Sequence, residues 1–255
     1  MQKKNKKLHQ IRACLIAETK NKLRKSVSDD NLIIHTIHNI EELQRTANLL
    51  SKRLREWYSL YNPEFTKAFD DNRKFSELIV KKGKKELLFE IGIKTSESMG
   101  ADIGKKDLEQ ILKLACQINS VYSLINSHEA YLESVMNKRC PSLNALIGHL
   151  IGAKLIAHAG SLKHLASMTA STIQLLGAEK ALFRHLRTGA KSPKHGLIIK
   201  HPMVASAKQS LKGKAARALA DKASIAARVD YFKGKPIGAQ LKKELEKKLL
   251  LSSAG

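Results

Sequence analysis

Residues 31–61 read NLIIHTIHNIEELQRTANLLSKRLREWYSLY, and apolar side chains recur in this stretch at alternating intervals of three and four residues. Such a heptad is typical of a helix that packs against another helix along a narrow apolar seam. The segment SVSDD (residues 26–30) predicts the helix start, because Ser and Asp cap helices and acidic groups favour the positive end of the helix dipole. Pro63 predicts the helix end. The predicted seam consists of Ile33, Thr36, Ile40, Leu43, Ala47, Leu50, Leu54, Trp57 and Tyr61.

A second heptad over residues 108–136 predicts a partner helix of similar length. The two helices, joined by residues 64–106, are expected to fold back as a long antiparallel coiled-coil hairpin. The joining segment is rich in Lys but too apolar for a disordered linker, so short helices are expected at the hairpin tip. Neither helix alone hides its apolar groups, which favours a dimer through the coiled coil over packing within one chain. The second seam consists of Leu108, Ile111, Ala115, Ile118, Tyr122, Ile125, Glu129, Leu132 and Met136.

The composition of the 255 residues also indicates an all-α protein with a polyanionic partner. Aromatic residues make up 5% of the chain, and there are five Pro. The 46 Lys and Arg against 23 Asp and Glu give a net charge of +23, which favours nucleic acid over an acidic membrane surface. The N-terminus is too polar for a signal peptide and no apolar run approaches a membrane span, so we expect a soluble intracellular protein. Its three cysteines are far apart and fit reduced thiols.

A change of composition at Pro141 predicts a second domain. Ser171 or Thr172 is expected to cap a helix that carries Ile173, Leu175, Leu176, Ala181, Leu182 and Leu186 inward. Residues 239–250 predict a terminal amphipathic helix. Small residues after Pro141 stand at close helical spacing and predict tight helix–helix contacts: Gly148, Gly152, Ala153, Ala157, Ala159 and Gly160.

Residues 177–198 (GAEKALFRHLRTGAKSPKHGLI) give the strongest functional signal, because Glu179 is the only acid in a dense run of basic groups. An Arg- and Lys-lined helix that runs into a basic Gly/Pro loop suits a folded polyanion. The alternative is a solvated face, but the run uses Arg at several positions, and Arg matches phosphate geometry better than Lys. We expect Phe183 to lie in the core, because Leu182 and Leu186 flank it on a packed helix.

Sequence motifs for catalysis are absent: there is no GxxxxGK[ST], no HExxH and no Ser elbow. His35 and His38 lie on the first heptad helix, where surface positions explain them better than a metal site. Acidic pairs such as Glu41 and Glu42 lie on exposed helix faces. We therefore expect a binding protein rather than an enzyme, with no cofactor and no metal.

Residues 152–198 (GAKLIAHAGSLKHLASMTASTIQLLGAEKALFRHLRTGAKSPKHGLI) resemble the Nop domain that is shared by the core proteins of box C/D small nucleolar ribonucleoproteins. LLSKRLREWYSLYNPEF (residues 49–65) resembles the coiled-coil domain of the same family, and KGKAARALADKASIAARVDYF (residues 212–232) resembles the end of its Nop domain. The resemblance covers essentially residues 15–250, and the compact form looks archaeal.

This resemblance implies a basic linker helix (residues 1–30), a coiled-coil domain with a helical tip (31–138) and a Nop RNA-binding domain (139–255). Such proteins are scaffolds for guide-RNA-directed 2′-O-methylation of ribosomal RNA. The Nop domain grips a kink-turn RNA together with the small ribosomal-type protein already bound to it, and the coiled coil pairs two copies. We expect a cytoplasmic location in an archaeon and a nucleolar one in a eukaryote.

A separate N-terminal domain of the family holds fibrillarin, the S-adenosylmethionine-dependent methyltransferase. By this resemblance, we expect the given sequence to begin near the helix that links that domain to the coiled coil, and therefore to lack a counterpart of the domain. We therefore expect fibrillarin to be recruited only through a domain that is absent here.

The resemblance also implies which residues bind RNA. Lys180, Arg184 and Arg187 are expected to contact phosphate, and Glu179 to accept a hydrogen bond from a base amino group or to orient Lys180. The complete expected RNA-binding set is Gly177, Ala178, Glu179, Lys180, Arg184, His185, Arg187, Lys191, Lys194 and His195.

Three alternatives remain open at this point. A spliceosomal-type Nop protein would share the fold and bind a different kink-turn RNA, although that relative diverges in the segment GAEKALFRHL. A structural coiled-coil dimer with incidental basic charge would show no preference for a kink-turn complex. A basic, Ala-rich helical protein could also compact DNA.

Overall fold

The computed structural model describes the backbone of residues 2–253, and the side chains of residue 9 and of residues 11–24 and 26–248; Met1, Ala254 and Gly255 lie outside this range. The regular structure within residues 2–253 is entirely helical, which confirms the all-α class. None of the described helices is long and apolar enough to cross a membrane. The α-helices are α1 (Gln2–Ser26), α2 (Asp29–Tyr58), α3 (Pro63–Ala68), α4 (Asn72–Lys81), α5 (Lys84–Glu90), α6 (Lys105–Arg139), α7 (Pro141–Ile147), α8 (His149–Ala159), α9 (Leu162–Ser167), α10 (Ala170–Leu175), α11 (Glu179–Thr188), α12 (Pro202–Ala205), α13 (Lys212–Tyr231) and α14 (Gly238–Ser253), with 3₁₀ turns at Thr95–Glu97 and Leu197–Lys200.

The chain forms two compact units, one of residues 38–131 and one of residues 1–37 with 132–255. In the first unit, the predicted short helices between the two long ones are present as α3, α4 and α5. Their apolar faces join the long helices in a core that is rich in aromatic rings. Its buried members are Leu54, Tyr58, Phe65, Phe75, Ile79, Leu87, Ile111, Ala115 and Ile118.

Within this unit the two long helices run in opposite directions. Asn39, early in α2, lies 3.3 Å from the ring nitrogen of His128, late in α6. Leu54, near the end of α2, shares the core with Ile111, near the start of α6. Coiled-coil winding of the pair and dimerisation through it remain predictions.

The seam predicted for α6 is confirmed, because its members are buried or half-buried throughout. The seam predicted for α2 is confirmed at every seventh residue from Ile33 to Leu54 but is wrong at Trp57, which is 40% exposed, whereas Tyr58 is 2% exposed. On a 3.6-residue helix, the residue four positions after a seam residue lies closer to the seam line than the residue three positions after it. For the same reason Ile37 and Ser51 are buried.

Pro63 begins a helix instead of ending one, since α2 stops at Tyr58 and Pro63 is the first residue of α3. Proline suits this position because the first backbone N–H groups of a helix have no partner within it. The Asn62 side chain caps the new helix by accepting a hydrogen bond from Phe65 N–H at 3.2 Å.

The second unit is organised around α13, which packs against α7, α9, α10 and α14. Alanines line its buried face and allow these neighbours to approach closely. The buried Asp230 carboxylate accepts hydrogen bonds from the N–H groups of Ser142 (3.0 Å) and Leu143 (2.8 Å), which caps the start of α7. The expected close contact at a small residue is present at Gly152, where an added Cβ would lie 2.8 Å from Met136 Cε.

The prediction of one helix from Ser171 or Thr172 through Leu186 is wrong in three respects. Thr169 supplies the cap of α10 by accepting from Thr172 N–H, and the chain then breaks between α10 and α11. Helix α11 buries none of its own residues completely. Leu186 is accordingly 69% exposed, so it is a surface residue and not part of the core.

Candidate nucleic-acid interface

The start of α11 depends on Gly177, which has a φ of +84°, in the left-handed region that favours glycine. A Cβ at this position would lie 2.5 Å from Leu197 Cγ, so the segment after α10 leaves no space for a side chain. The Gly177 N–H donates to Glu179 Oε1 at 2.6 Å. Gly177, Ala178 and Glu179 therefore set the direction of α11.

Glu179 is engaged within the protein. Its carboxylate lies 3.6 Å from His158 Nδ1 as well as accepting from Gly177. Partial burial by itself raises the Glu179 pKa, but the Gly177 hydrogen bond and the neighbouring His158 outweigh burial and hold the pKa below its ordinary value. Glu179 therefore holds the start of α11 through these contacts, and its expected roles, a contact to a base or the orientation of Lys180, stay predictions.

Lys180, Arg184 and Arg187 form one row along α11. At about 100° per residue, the three positions fall within roughly 60° of the helix circumference. All three are exposed. Among the side chains that the structure describes, no carboxylate forms a salt bridge with any of them. The positive charge of this row is therefore not neutralised within the described part of the chain, as phosphate binding requires.

The basic loop, which we define as residues 189–196, continues from the end of this helix. It starts at Gly189, which has a left-handed φ of +67° and ends α11. It returns to α10, where Gly196 N–H donates to Gln174 O at 2.7 Å and Leu197 N–H donates to Leu176 O at 2.7 Å. Lys191 and Lys194 are exposed on the loop, and His195 is half-buried.

Two basic residues that the expected set omits, Lys214 and Arg217, also belong to this surface. A Cβ on Gly213 would lie 3.8 Å from Cβ and Cδ of Lys194, so the basic loop passes the first turn of α13. From this turn, Lys214 and Arg217 line a groove of about 600 Å³ together with Thr169, Ala170, Ser171, Ala218, Asp221 and Lys248. Their spacing of three was visible in the sequence, but their approach to the basic loop was not. Lys222 does not contribute, since it pairs with Glu244 at 2.5 Å.

An apolar face adjoins the basic row on α11. Phe183 is 61% exposed, so the expectation that it lies in the core is wrong. The reason is the break at Gly177, which separates α11 from the core-forming helix α10. Beside this face, Leu175, Leu176 and Leu182 line a hollow of about 230 Å³. Helix α11 thus offers a basic side and an apolar side to solvent.

The described residues contain no group of three or more His, Cys, Asp or Glu side chains that could hold a metal ion. The site offers cations and apolar surface. This combination can bind phosphates and pack against a partner.

Comparisons with known proteins identify relatives of this chain. A family model described as "Nop: snoRNA binding domain, fibrillarin" matches residues 39–250. An uncharacterized NOP5 family protein of Methanocaldococcus jannaschii is 43% identical over 234 residues, which cover 86% of this chain and 56% of that protein. Nucleolar protein 56 of Homo sapiens is 38% identical over 247 residues, which cover 89% of this chain and 42% of that protein.

A solved fibrillarin/Nop5p complex contains a chain with the same fold, at a TM-score of 0.56 and 24% identity, over 95% of this chain and 77% of that one. The present chain spans about half the length of the curated relatives that it matches. The family match over residues 39–250 and the identity to these relatives show that this chain belongs to the Nop family.

Proposed function

We propose that this chain is an RNA-binding scaffold of box C/D small ribonucleoproteins that guide 2′-O-methylation of ribosomal RNA. The observation that carries the proposal is the row of Lys180, Arg184 and Arg187 on an exposed helix, within the range that the Nop family model matches. A scaffold role needs binding surfaces and no catalytic groups of its own.

The basic row and the basic loop bind the phosphates of a kink-turn RNA. Duplex RNA hides its base edges in a deep, narrow groove, so cations that follow the backbone supply most of the affinity. Lys191 and Lys194 extend the row past the end of α11. Lys214 and Arg217 add a further cationic edge at the groove beside α13.

The apolar side of α11 contacts the small ribosomal-type protein on that RNA. RNA backbone offers little apolar surface, whereas Phe183 and Leu186 are large, exposed and next to an apolar hollow. Exposed aromatic and aliphatic groups of this kind mark protein interfaces. A surface with one basic and one apolar side selects RNA and protein together, which gives specificity that phosphate contacts alone cannot give.

Two copies pair through the coiled-coil domain (31–138), and the Nop RNA-binding domain (139–255) holds the RNA. Fibrillarin joins through a separate N-terminal domain, as the family resemblance implies. The particle acts in the cytoplasm of an archaeon or in the nucleolus of a eukaryote.

A gel-shift titration tests this function with kink-turn RNA, with and without the small kink-turn-binding protein. Binding is expected only when both are present. Arg184→Ala should weaken it roughly tenfold, equivalent to about 1.4 kcal/mol, and should lower the salt slope by about 0.7 to 0.9. The control Lys74→Ala removes one exposed charge from the other compact unit and should change neither quantity.

Replacing Phe183 and Leu186 together by Ser should weaken binding to the RNA–protein complex at an unchanged salt slope, because a protein contact is lost and no phosphate contact is. Equal binding of the wild type to any RNA, indifferent to the partner protein, would support a basic structural dimer instead. Preference for a spliceosomal kink-turn RNA would favour the spliceosomal-type relative, and competition by duplex DNA would favour DNA compaction. An affinity and salt slope unaffected by Arg184→Ala would remove α11 from the RNA-binding surface.

A further inference from the structure

The basic loop is held at both ends by side chains of the neighbouring helices α10 and α11. At its far end, Gln174 Nε2 donates a hydrogen bond to the backbone oxygen of Lys194 at 2.7 Å. The backbone oxygen of the same Gln174 accepts from Gly196 N–H at 2.7 Å. Gln174 therefore fixes residues 194–196 against α10 through two bonds, of which only one depends on its side chain.

At the near end, His185 Nδ1 is hydrogen-bonded to the backbone oxygen of Ala190. A carbonyl oxygen can only accept, so Nδ1 carries the proton and donates it. His185 is half-buried, whereas Arg184 and Arg187 on the same helix are exposed. Its position about 100° around α11 from Arg184 turns the ring away from the basic row and toward the returning loop.

We call the side-chain hydrogen bonds of Gln174 and His185 the two ties of the loop. The loop carries Lys191 and Lys194 as its exposed cations. A free loop of this length must lose backbone entropy when it binds, and that loss subtracts from affinity. A loop already tied at residues 190 and 194 has lost most of that freedom before RNA arrives. The ties therefore act on RNA affinity without any contact to RNA.

We infer that Gln174 and His185 are positioning residues that hold the basic loop in its RNA-binding shape. This inference rests on the proposed function, because it assumes that the loop meets RNA. It changes the expected role of His185, from an RNA contact to a tie within the protein. It also adds Gln174, which lies outside the run that carries the charge.

Three variants test the inference in the full chain. His185→Ala removes the near tie, whereas His185→Asn keeps an N–H donor close to the position of Nδ1 and removes the rest of the ring. Gln174→Leu keeps the side-chain size and removes the far donor. The control Lys191→Ala removes a cation and leaves both ties in place. Each variant is titrated with kink-turn RNA and its bound protein at several salt concentrations.

We expect His185→Ala and Gln174→Leu to weaken binding by about five- to tenfold through the added ordering cost, at an unchanged salt slope. Lys191→Ala should lower the slope by about 0.7 to 0.9, because one phosphate contact is lost. His185→Asn should bind like the wild type. An Asn variant as weak as the Ala variant, or a slope that falls in His185→Ala, would make His185 an RNA contact and overturn the inference for it. Unchanged affinity in Gln174→Leu would overturn it for Gln174.

Hydrogen exchange on the free protein separates this result from the proposed function. The amides of Gly196 and Leu197, which donate to α10, should exchange faster in His185→Ala and Gln174→Leu than in the wild type, while the amides of α13 stay unchanged. Unchanged exchange of these amides would show that the two side chains do not hold the loop, whatever the RNA titration shows. A third outcome combines faster exchange in the two variants with a wild type that shows no preference for kink-turn RNA. Gln174 and His185 would then hold the loop, but the proposed function and the RNA-binding role of the loop would both be refuted.

Discussion

Gly196→Ala should detach the basic loop from α10. At this position the loop lies so close to the end of α10 that an added Cβ would stand 1.9 Å from the backbone oxygen of Leu176. Ordinary van der Waals contact begins at 3.4 Å, so the two segments must separate by about 1.5 Å. No side-chain rotation can relieve this clash, because the opposing atom belongs to the backbone.

The energetic cost follows from the two hydrogen bonds that join these segments. Gly196 N–H to Gln174 O and Leu197 N–H to Leu176 O are both 2.7 Å, and a shift of this size would lengthen them beyond 3.5 Å. Losing two backbone hydrogen bonds near buried surface costs about 2 to 4 kcal/mol in the free energy of unfolding. RNA affinity should fall as well, since the far end of the basic loop is released.

Urea unfolding followed by circular dichroism measures the stability change, with Gly213→Ala as the matched control. Gly213 lies in the first turn of α13, and a Cβ there would meet Lys194 carbons at an ordinary 3.8 Å. The same substitution should therefore stabilise the control by about 0.5 to 1 kcal/mol, because alanine loses less entropy than glycine in a helix. If Gly196→Ala unfolded at the wild-type urea concentration, the close approach of the loop to α10 would be wrong.

Three further predictions concern buried groups of the second unit. Asp230→Asn should destabilise the protein by about 1 to 3 kcal/mol at pH 7, because the two N–H groups at the start of α7 use different carboxylate oxygens and the substitution turns one of these oxygens into an NH₂ donor. The exposed Asp221→Asn should have no effect, and equal unfolding curves for the two variants would exclude the cap. Burial lowers the pKa of His201 below its ordinary value of 6.5, so this imidazole binds a proton more readily in the unfolded chain than in the folded chain. The free energy of unfolding should therefore decrease as pH falls below 6.5, and His201→Gln should lose this contribution. Burial raises the pKa of Cys140 to about 12, whereas the other two cysteines are exposed; a thiol reagent at pH 8 should therefore modify two thiols in the folded chain and the third only after unfolding, and three fast-reacting thiols would contradict this packing.

The sequence predicted helix positions well wherever a local repeat specifies them. The α6 seam from Leu108 to Met136 and the short helices between the long ones follow from periodicity and composition, which act over a few residues. The error at Trp57 has the same local origin, because a strict heptad assumes 3.5 residues per turn, whereas an ordinary α-helix has 3.6. At the end of α2 the difference was enough to bury Tyr58 instead.

The charge of the site was visible in the sequence, but its exposure was not. Leu182, Phe183 and Leu186 read as core positions, since apolar spacing on a helix does not say whether another element covers it. The break at Gly177 decides this point, and it depends on Leu197, twenty residues further along the chain.

The sequence by itself therefore determined the helical class, the basic run at residues 177–198 and the family to which the chain belongs. These properties depend on residue types and on their spacing along one element. Only the tertiary structure decided which side of α11 meets solvent, how Gln174 and His185 tie the basic loop, and that Lys214 and Arg217 lie beside it. These features depend on contacts between residues that are distant in the chain, and packing rather than local propensity selects such contacts.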